Sequence, residues 1–505
     1  MRNGKIISIL LIAICLSGCA ETPVQNVPGQ QVDYFSSMEE EPELSYEVPV
    51  STPGILINQQ GYMIESTKVA VFAGEEIPEV FYVINAQTGG ISYTGSVEGK
   101  GYNQESLEYN SYGDFTELTE PGIYYIEAPI LGRSYSFVIG NIVYDEIFRE
   151  ACKQYYYNRC GITLTGEHAG ERAHNACHTG KAHLREDTSV SVDVTGGWHQ
   201  DERGQKDVVV AATTMSVMLL SYELYEDSFT DEIGIPESGN GIPDILDEIR
   251  YEADWLLKMQ DQQTGAVYAG ITVYPQNGDA YVEPASVEAE KAFAMSLAKF
   301  SYVYQSYDTE YATVCLRAAD RAWKHSRLHD SENVDEWSFA AAAELYRASG
   351  QNSYHLIVQN YLDAQTFQEP GDEIVLLGSV TYIATKQRVD TTLCEKIMKM
   401  LMERAENISE KARKSVYLTV DGGSQEGNEQ ILQEMLYLTV VDYIISNHEY
   451  STVIENHLHY FLGRNEQAIS YLEDTDGSSP GIMKRFDADS KLIFMLSEII
   501  GRVDR

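Results

Sequence analysis

The spacing of apolar residues changes near residue 141, and this change most constrains how the 505-residue chain can fold. Between Gly54 and that point, apolar and polar residues alternate in short runs separated by turn residues. This pattern predicts a small β-sandwich over 54–140. The apolar runs lie at 55–57, 69–72, 80–83, 122–126 and 135–139.

From residue 141 to 505 the apolar residues recur at helical spacing, most clearly over 244–259. Clusters of Gly, Pro and Asp separate the segments. The dozen predicted helices lie near 143–158, 206–226, 243–260, 286–306, 309–326, 335–349, 353–364, 372–387, 391–405, 427–446, 449–462 and 489–502. Twelve helices after a β-sandwich are compatible with an α/α barrel or an irregular bundle, and the count alone does not choose.

The N-terminal residues predict export. Arg2 and Lys5 precede an apolar run, residues 6–16, that is too short to span a bilayer. The run ends in Leu-Ser-Gly-Cys, which resembles the bacterial lipoprotein cleavage box. This resemblance implies a signal peptide over 1–19 and a lipid on the sulfur of Cys19, which would anchor the protein to the outer face of a bacterial membrane. A plain secretory signal with a chance cysteine is the alternative.

Charge and composition narrow the class of partner. Residues 20–53 are rich in Pro, Gln and Glu without an apolar period, which predicts a disordered acidic linker. The net charge of −41 disfavours nucleic acid and anionic lipid surfaces, because like charges repel. A neutral glycan suits the chain better, although acidity is equally expected if it serves only solubility. The lipid on Cys19 is the only membrane contact that we expect.

Short motifs beyond residue 54 resemble the domains of bacterial cellulases. Residues 54–62, Gly-Ile-Leu-Ile-Asn-Gln-Gln-Gly-Tyr, resemble the opening strand of the immunoglobulin-like domain that precedes many of these enzymes. The helical part resembles glycoside hydrolase family nine through motifs in the family's order, at 155–161, 175–178, 193–199, 240–248, 258–260, 342–346 and 461–465. The resemblance implies an (α/α)6 barrel over 141–505 and a cleft for β-1,4-glucan at one end.

Two cysteines and two histidines form a candidate zinc site. Cys160, Cys177, His178 and His199 supply two thiolates and two imidazoles, a set that suits tetrahedral zinc, and all four match the family's zinc ligands. Four protein ligands leave no open position, so this zinc would be structural. Five of the seven cysteines lie beyond the predicted signal, and an odd number argues against a full disulfide framework. A Cys160–Cys177 disulfide is the alternative.

An oxygen-rich turn before one predicted helix is a candidate calcium site. Glu237, Asn240, Asp244 and Asp247 surround a Gly-containing turn, and calcium prefers several flexible oxygen ligands. Family members bind calcium in this region. The alternative is structural, with Asn240 capping the helix and the acids stabilising its first turn.

The positions that carry the family's catalytic base differ in this chain. The resemblance implies an inverting hydrolysis, in which one carboxylate takes a proton from water and a second carboxyl group protonates the leaving oxygen. The base carboxylates of the family follow Gly-Gly-Trp at positions occupied here by Gln200 and Arg203. Asp201 and Glu202 lie between them and are the nearest candidates for a displaced base. Arg203 cannot accept a proton and would oppose positive charge developing on the sugar.

The acid also departs from the family pattern. The family places a Glu shortly before the last helix, after a His-His-Arg segment that holds the sugar. This chain lacks that segment, and Asp487 and Asp489 are the only carboxylates near the expected position. Both catalytic carboxyl groups and the sugar-holding histidines are therefore missing together.

Three functions remain open on these grounds. The favoured hypothesis is a surface protein that binds glycan without cleaving it, with Trp198 and Arg203 among its sugar contacts. Trp255, Trp323 and Trp337 are further aromatic candidates, although most Trp residues in a helical barrel belong to the core. The second hypothesis is an active glycosidase that uses Asp201 or Glu202 as base and Asp487 or Asp489 as acid. The third is a purely structural or protein-interaction module.

Overall fold

A computed structural model describes the chain in nine stretches, which all belong to one compact unit. They are residues 54–74, 76–103, 108–274, 279–329, 334–364, 373–420, 425–445, 447–472 and 485–502. The predicted signal peptide, Cys19 and the linker over 20–53 lie outside these residues. No helix in the described stretches has the length and apolar character needed to cross a membrane.

Eight strands form the N-terminal β-sandwich: β1 (Ile55–Leu56), β2 (Gly61–Tyr62), β3 (Val69–Gly74), β4 (Val80–Asn85), β5 (Ile91–Asn103), β6 (Glu108–Asp114), β7 (Gly122–Ala128) and β8 (Gly132–Ile139). Their order is β1-β3-β6-β5-β4-β7-β8-β2. The long strand β5 pairs with β4 through 91–96 and with β6 through 97–103, so it joins the two layers. Aromatic residues such as Phe81, Phe115 and Phe137 fill the space between them. The predicted sandwich is confirmed, and β2, β5 and β6 are additional strands.

Twelve long helices follow, each overlapping a predicted segment: α1 (Asp145–Tyr157), α3 (Val208–Leu224), α4 (Asp244–Lys258), α5 (Val287–Tyr304), α6 (Thr309–His329), α7 (Glu336–Ser349), α8 (Asn352–Ala364), α9 (Glu373–Ala384), α10 (Thr391–Lys414), α11 (Gln425–Ile444), α12 (Ser451–Phe461) and α13 (Phe486–Gly501). A four-residue helix, α2 (Gly166–Ala169), lies between the first two.

The twelve long helices form two concentric rings. Helices α3, α5, α7, α9, α11 and α13 each pack on the next, and α13 closes the inner ring on α3. The other six pack against its outside. The inner helices α3 and α9 are apolar on all sides, whereas the outer helices α4 and α10 are amphipathic, as this arrangement requires. The predicted (α/α)6 barrel is confirmed.

The N-terminal ends of the inner helices lie at the same end of the barrel, because inner and outer helices alternate along the chain. Three of these ends are fixed by side-chain caps: Asp207 before α3, Ser286 before α5 and Asp335 before α7 accept hydrogen bonds from backbone N–H groups of the first turn. This end of the barrel carries the cleft described below.

A second, small sheet borders that end and was not predicted. Strands β9 (Ala182–Leu184), β10 (Ser191–Val192), β11 (Lys206–Asp207), β12 (Gly270–Val273) and β13 (Ala280–Val282) pair in the order β10-β9-β13-β12-β11. The expectation that everything beyond residue 141 is helical is therefore wrong. Strands of two to four residues are too short to show a period in the sequence.

A buried polar cluster joins the sandwich to the barrel. The amide nitrogen of Asn58 donates to the hydroxyl of Tyr144 at 3.1 Å and lies 3.0 Å from Nδ1 of His459. Tyr144 in turn donates to the carbonyl of Gly61. Arg464 is fully buried and donates to the carbonyl of Val69 in the sandwich and to the side-chain oxygen of Asn456 in the barrel. These contacts hold the two domains together.

Candidate functional site

Backbone and side-chain contacts fix the position of the Gly-Gly-Trp turn at 196–198, beneath the cleft. Its carbonyl at Gly197 accepts from the backbone N–H of Cys160 at 2.7 Å, and His199 donates its N–H to the carbonyl of Asn158. The backbone N–H of Trp198 donates to Glu252 at 2.6 Å. The turn is thus fixed to the segment after α1 and to α4.

Glycine is required in this turn for a steric reason. Gly197 has a φ of 72°, and a Cβ there would lie 2.6 Å from the ring of Trp255. The indole of α4 therefore packs directly on the turn backbone.

Trp198 is part of the core. Its ring is completely buried between Tyr155 and Phe486, and its Nε1 donates to Glu248 at 3.3 Å. The prediction that Trp198 contacts substrate is wrong, because a ring without exposed surface cannot stack on a sugar.

Two buried carboxyl groups of α4 hold this turn and the cations around it. Glu248 pairs with Arg159 at 2.9 Å, and Glu252 lies near the buried ammonium of Lys206. Burial raises the pKa of Glu248 to about 7 and that of Glu252 to about 8, and the neighbouring cations only partly oppose this shift. Lys206 donates to the carbonyl of Gly196, which ties the strand entering α3 to the turn.

The structure brings the four predicted metal ligands together. The ligand atoms of Cys160, Cys177, His178 and His199 all lie within 4.8 Å of one another. His178 Nδ1 lies 3.2 Å from His199 Nε2 and 3.7 Å from the sulfur of Cys160, and the sulfur of Cys177 lies 3.5 Å from His199 Nε2. Such a set of thiols and imidazoles could hold a metal ion.

Both cysteines of this group are free thiols, so the alternative Cys160–Cys177 disulfide is not formed in the structure. A hydrogen bond between them lowers the pKa of Cys177 and raises that of Cys160. Gly204 packs against the group: it has a φ of 78°, and a Cβ there would lie 2.5 Å from Cε1 of His178. The turn that carries Gly204 therefore rests directly on a candidate metal ligand.

The predicted calcium ligands do not form a comparable group. Both carboxylate oxygens of Glu237 accept from Arg159. Asp244 accepts from Ser238 and from the backbone of Ile233, while Asp247 accepts from Asn240. Among the described residues, only the Cys and His group above brings three or more His, Cys, Asp or Glu ligands within reach of one ion. The carboxylates of the proposed set hold the loop through these contacts, and calcium binding there stays a prediction.

Of the capping alternative, the first-turn acids are confirmed, and the prediction that Asn240 caps the helix is wrong. Pro243 precedes α4 without a side-chain cap, and Asn240 accepts from the backbone N–H of Ile242 in the loop before the helix. Asp244 and Asp247 lie in the first turn of α4, where negative charge is favourable.

A cleft of about 480 Å³ opens beside the Gly-Gly-Trp turn, between that turn, strand β12 and the start of α13. Gln200, Asp201 and Asp207 line it, together with Arg485 and Asp487 from the start of α13. The side-chain amide of Gln200 accepts from the N–H of Asp207 at 2.7 Å and donates to its carbonyl at 2.8 Å. Gln200 therefore stabilises the backbone that enters α3, and an amide at this position cannot take a proton from water.

The residues that follow Gln200 differ in whether they line the cleft. Asp201 lines the cleft, and its Oδ1 accepts from the backbone N–H groups of Arg203 and Gln205 at 2.9 and 3.0 Å, which closes the turn. Arg203 and Glu202 are exposed and line neither this cleft nor the two cavities that adjoin it. The lining of these cavities does not support the displaced-base role of Glu202 or the sugar contact of Arg203, and both stay predictions.

The two acids at the start of α13, Asp487 and Asp489, differ in their access to the cleft. Asp487 lines the cleft, and both of its carboxylate oxygens accept from Arg485, at 3.1 and 3.0 Å. Asp489 is only 1 % exposed and belongs to the barrel interior. The prediction that Asp489 serves as an acid is wrong, because a donor must reach the glycosidic oxygen.

The two cavities that adjoin this cleft meet it at Asp487. One, of about 270 Å³, lies between α11 and α13, and the other, of about 530 Å³, lies among α3, α7, α9, α10, α11 and α13. Asp487 lines all three cavities, so they adjoin one another at the N-terminal end of the inner helices.

Sequence reasoning missed four charged residues of the first cavity, one of which is Lys206, the lysine that donates to Gly196. Asp207 caps α3 and also lines the cleft. Glu283, which follows β13, lines the cleft and pairs with Arg185. Arg485 also pairs with Glu429. An Asp immediately before a long apolar helix is a recognisable cap signal and would have located Asp207.

Comparison with known proteins agrees with the architecture. The model of glycosyl hydrolase family 9 matches residues 144–482, and that of the cellulase N-terminal ig-like domain matches residues 50–133. The chain belongs to glycosyl hydrolase family 9.

Two relatives match most of this chain in sequence. The chain is 26% identical over 457 residues to Endoglucanase D of Acetivibrio thermocellus, with 83% of this chain and 72% of the relative covered. It is 28% identical over 473 residues to a cellodextrinase of Butyrivibrio fibrisolvens, covering 83% and 84%. A solved zinc-binding triple mutant of the family-nine endoglucanase J30 has the same fold, with a TM-score of 0.75, 23% identity and coverage of 86% and 99%.

The buried carboxyl group of Glu248, which contacts the Gly-Gly-Trp turn from α4, leads to a pH prediction. In the folded protein the pKa of Glu248 is about 7, whereas its ordinary value is 4.5, so the free energy of unfolding falls as pH rises through this window. Replacement by Gln removes this titration and leaves Arg159 its second partner, Glu237. We expect the free energy of unfolding of Glu248→Gln to fall less steeply with pH than that of the wild type, by up to about 1.4 kcal/mol per pH unit.

Urea unfolding between about pH 5 and pH 7 measures the effect, with the exposed-site change Glu202→Gln as the matched control. An unchanged pH dependence in Glu248→Gln would contradict the protonated state of this carboxyl group.

Proposed function

We propose that this family-nine protein binds β-1,4-glucan oligosaccharides in the barrel cleft without hydrolysing them. The names of its relatives support the ligand class, since they include an endoglucanase and a cellodextrinase. The cleft at the N-terminal ends of the inner helices supports the place, because it is the large concave surface into which residues of several elements converge.

The observation that carries this proposal is the state of the family's base positions. Gln200 holds the backbone of Asp207 with both ends of its amide, and Arg203 is exposed. A general base must accept a proton from a water placed against the sugar. Neither an amide nor a guanidinium does so.

The acid side supports the same conclusion. A general acid must carry a proton on a carboxyl oxygen that reaches the leaving group. Both oxygens of Asp487 accept hydrogen bonds from Arg485, and Asp489 is buried. The cleft keeps polar groups for hydrogen bonds to sugar hydroxyls while lacking a suitable proton donor among its described residues.

One observation favours an alternative, a glycosidase with displaced carboxylates. Asp201 and Asp487 both line the 480 Å³ cavity. An inverting pair must lie roughly 6.5–9.5 Å apart to admit water. In that case Asp201 would act as the base and Asp487 as the acid. Asp487 would first have to break its hydrogen bonds with Arg485, so that its carboxyl group can carry a proton.

Calorimetry with cellotetraose and a reducing-end assay on the same preparation decide between these functions. We expect binding in the micromolar to millimolar range, about −8 to −4 kcal/mol, and no reducing ends above the level without protein. The matched variants are Asp201→Asn in the cleft and Glu202→Gln beside it.

Turnover that Asp201→Asn abolishes and Glu202→Gln preserves would overturn the binding-only function in favour of the glycosidase. Absence of both binding and turnover in the wild type would favour a structural or protein-interaction module instead.

We also propose that the Cys160, Cys177, His178 and His199 group holds a structural zinc ion. Two thiols and two imidazoles match the preference of zinc, and a solved family-nine endoglucanase carries zinc in a triple mutant. When bound, the ion would cross-link the 160–178 segment to the turn that lines the cleft. A set of four protein ligands leaves no position for a reacting water.

Elemental analysis of the purified protein should find one zinc ion per chain. We expect His199→Ala to lose the metal and to lower the melting temperature, because the ion stabilises only the folded state. Cys394→Ser, at a partly buried thiol outside the group, is the control and should keep the zinc. A wild-type protein with a Cys160–Cys177 disulfide and no zinc would refute the site.

For localisation, we propose a lipid anchor on Cys19. The support is in the sequence, where Leu-Ser-Gly-Cys at 16–19 follows a short apolar run. One lipid-modified cysteine and residues 20–53 would place the folded domains outside the cytoplasm and away from the membrane surface.

Expression in a bacterial host with a radiolabelled fatty acid tests the anchor. The wild type should incorporate label and partition with the membranes, and Cys19→Ser should do neither. Cys15→Ser, four residues earlier in the same apolar run, is the matched control and should remain labelled. Label that survives in Cys19→Ser would overturn the assignment.

A further inference from the structure

The largest of the three cavities lies away from the Gly-Gly-Trp turn. Its volume of about 530 Å³ falls within the range of small-molecule sites, roughly 300–1,000 Å³. It is lined from the barrel side by the first turns of α3, α7, α9 and α13 and by residues of α10 and α11. It meets the first cavity only at Asp487 and Val210.

Trp337 distinguishes this cavity from the other two. It is partly exposed at the start of α7 and lines the cavity wall. The other three Trp residues of the chain are buried: Trp198 and Trp255 completely, and Trp323 to 6 % exposure. Trp337 is therefore the one Trp side chain of this protein with a face available to a ligand in the cleft.

Arg404 supplies a charged donor to the same cavity. Its side chain is 10 % exposed, its Nε and Nη2 bind Glu434 at 3.1 and 3.0 Å, and its guanidinium lies over the ring of Tyr437. Glu434 accepts from Gln430 with its other oxygen. Nη1 of Arg404 is buried and has no hydrogen-bond partner among the described residues. A buried N–H donor without a partner is costly, and a ligand oxygen would satisfy it.

The remaining lining selects the chemistry of the ligand. Thr213, Gln433 and Ser490 are neutral and polar, and Oγ1 of Thr214 is a second buried group without a partner among the described residues. Lys491 is already neutralised by Glu373 at 2.8 Å. The cavity thus offers an aromatic face, hydroxyl and amide groups and one donor of a paired guanidinium. A neutral ring with one apolar face and several hydroxyls, such as a pyranose, matches this set.

We propose that the Trp337–Arg404 cavity is the anchoring subsite for the glycan. One pyranose stacks on Trp337, and Nη1 of Arg404 donates to one of its hydroxyl oxygens. The chain then extends past Asp487 towards Gln200 and Asp201, so the affinity resides at the end of the cleft opposite the altered base positions. This subsite rests on the proposed glycan-binding function and adds the residues that determine its affinity.

Tryptophan emission reports directly on this subsite. Addition of cellotetraose should shift the emission of the wild type, because only Trp337 combines partial exposure with a place in the cavity. The control variant Trp323→Phe, at a buried position on α6, should keep the shift, and Trp337→Phe should lose it. Maltotetraose, with α-linkages, is the control ligand.

Calorimetry with cellotetraose measures the affinity. We expect Trp337→Ala to weaken binding about tenfold or more, since it removes the stacking surface. Arg404→Lys keeps a cation beside Glu434 but loses the planar fork, and it should weaken binding about tenfold. Melting temperatures close to that of the wild type would confirm that both variants remain folded.

The outcomes separate this subsite from the function on which it rests. Wild-type binding of cellotetraose with unchanged affinity in folded Trp337→Ala and Arg404→Lys would overturn the subsite and leave glycan binding intact. Failure of the wild type to bind would overturn both. Loss of affinity in Gln200→Ala alone would place the anchor at the turn instead and would also contradict the subsite.

Discussion

The two buried carboxyl groups of α4 are the interaction on which the site depends. Glu248 and Glu252 are four residues apart, so they lie on one face of the helix and both reach the Gly-Gly-Trp turn. One binds the indole N–H and the other the backbone N–H of Trp198. Their neighbours Arg159 and Lys206 connect the turn to α1 and to the strand before α3. A buried acid is costly unless it is paired or protonated, and here cations and raised pKa values meet that requirement.

This arrangement separates the support of the cleft from its lining. The side of the turn that faces the core keeps Trp198, its glycines and the Cys and His group. On the other side, Gln200 and Asp201 line the cleft, and Arg203 is exposed. The family resemblance places the paired base aspartates at positions 200 and 203. Because the contacts that hold the turn use backbone groups and core side chains, the lining can change without loss of the fold. Fold and family membership therefore do not establish hydrolysis in this chain.

Helical segments of ten or more residues were recognised from the sequence because their apolar spacing is sustained over several turns. The same spacing did not reveal the five short strands beside the cleft, since pairs such as Ser191–Val192 and Lys206–Asp207 are held by neighbours distant in the chain. Among site residues, the Cys and His set was predicted correctly as a group. The errors at Trp198 and Asp489 share one cause, since a motif identifies a residue but not the direction of its side chain.

The sequence by itself determined the class of fold, the family and the candidate metal ligands, because these depend on periodicity and on motifs that occur in a fixed order. Its resemblance to the family also predicts that other residues occupy the catalytic carboxylate positions. Only the tertiary structure decided which acids reach the cleft, because burial and pairing arise from distant elements. In the structure Asp489 is buried, Asp487 binds Arg485, and Asp201 closes a turn. Trp337 and Arg404 are 67 positions apart in the sequence, yet both line the same cavity. Helix packing brings them together, and local sequence does not encode that proximity.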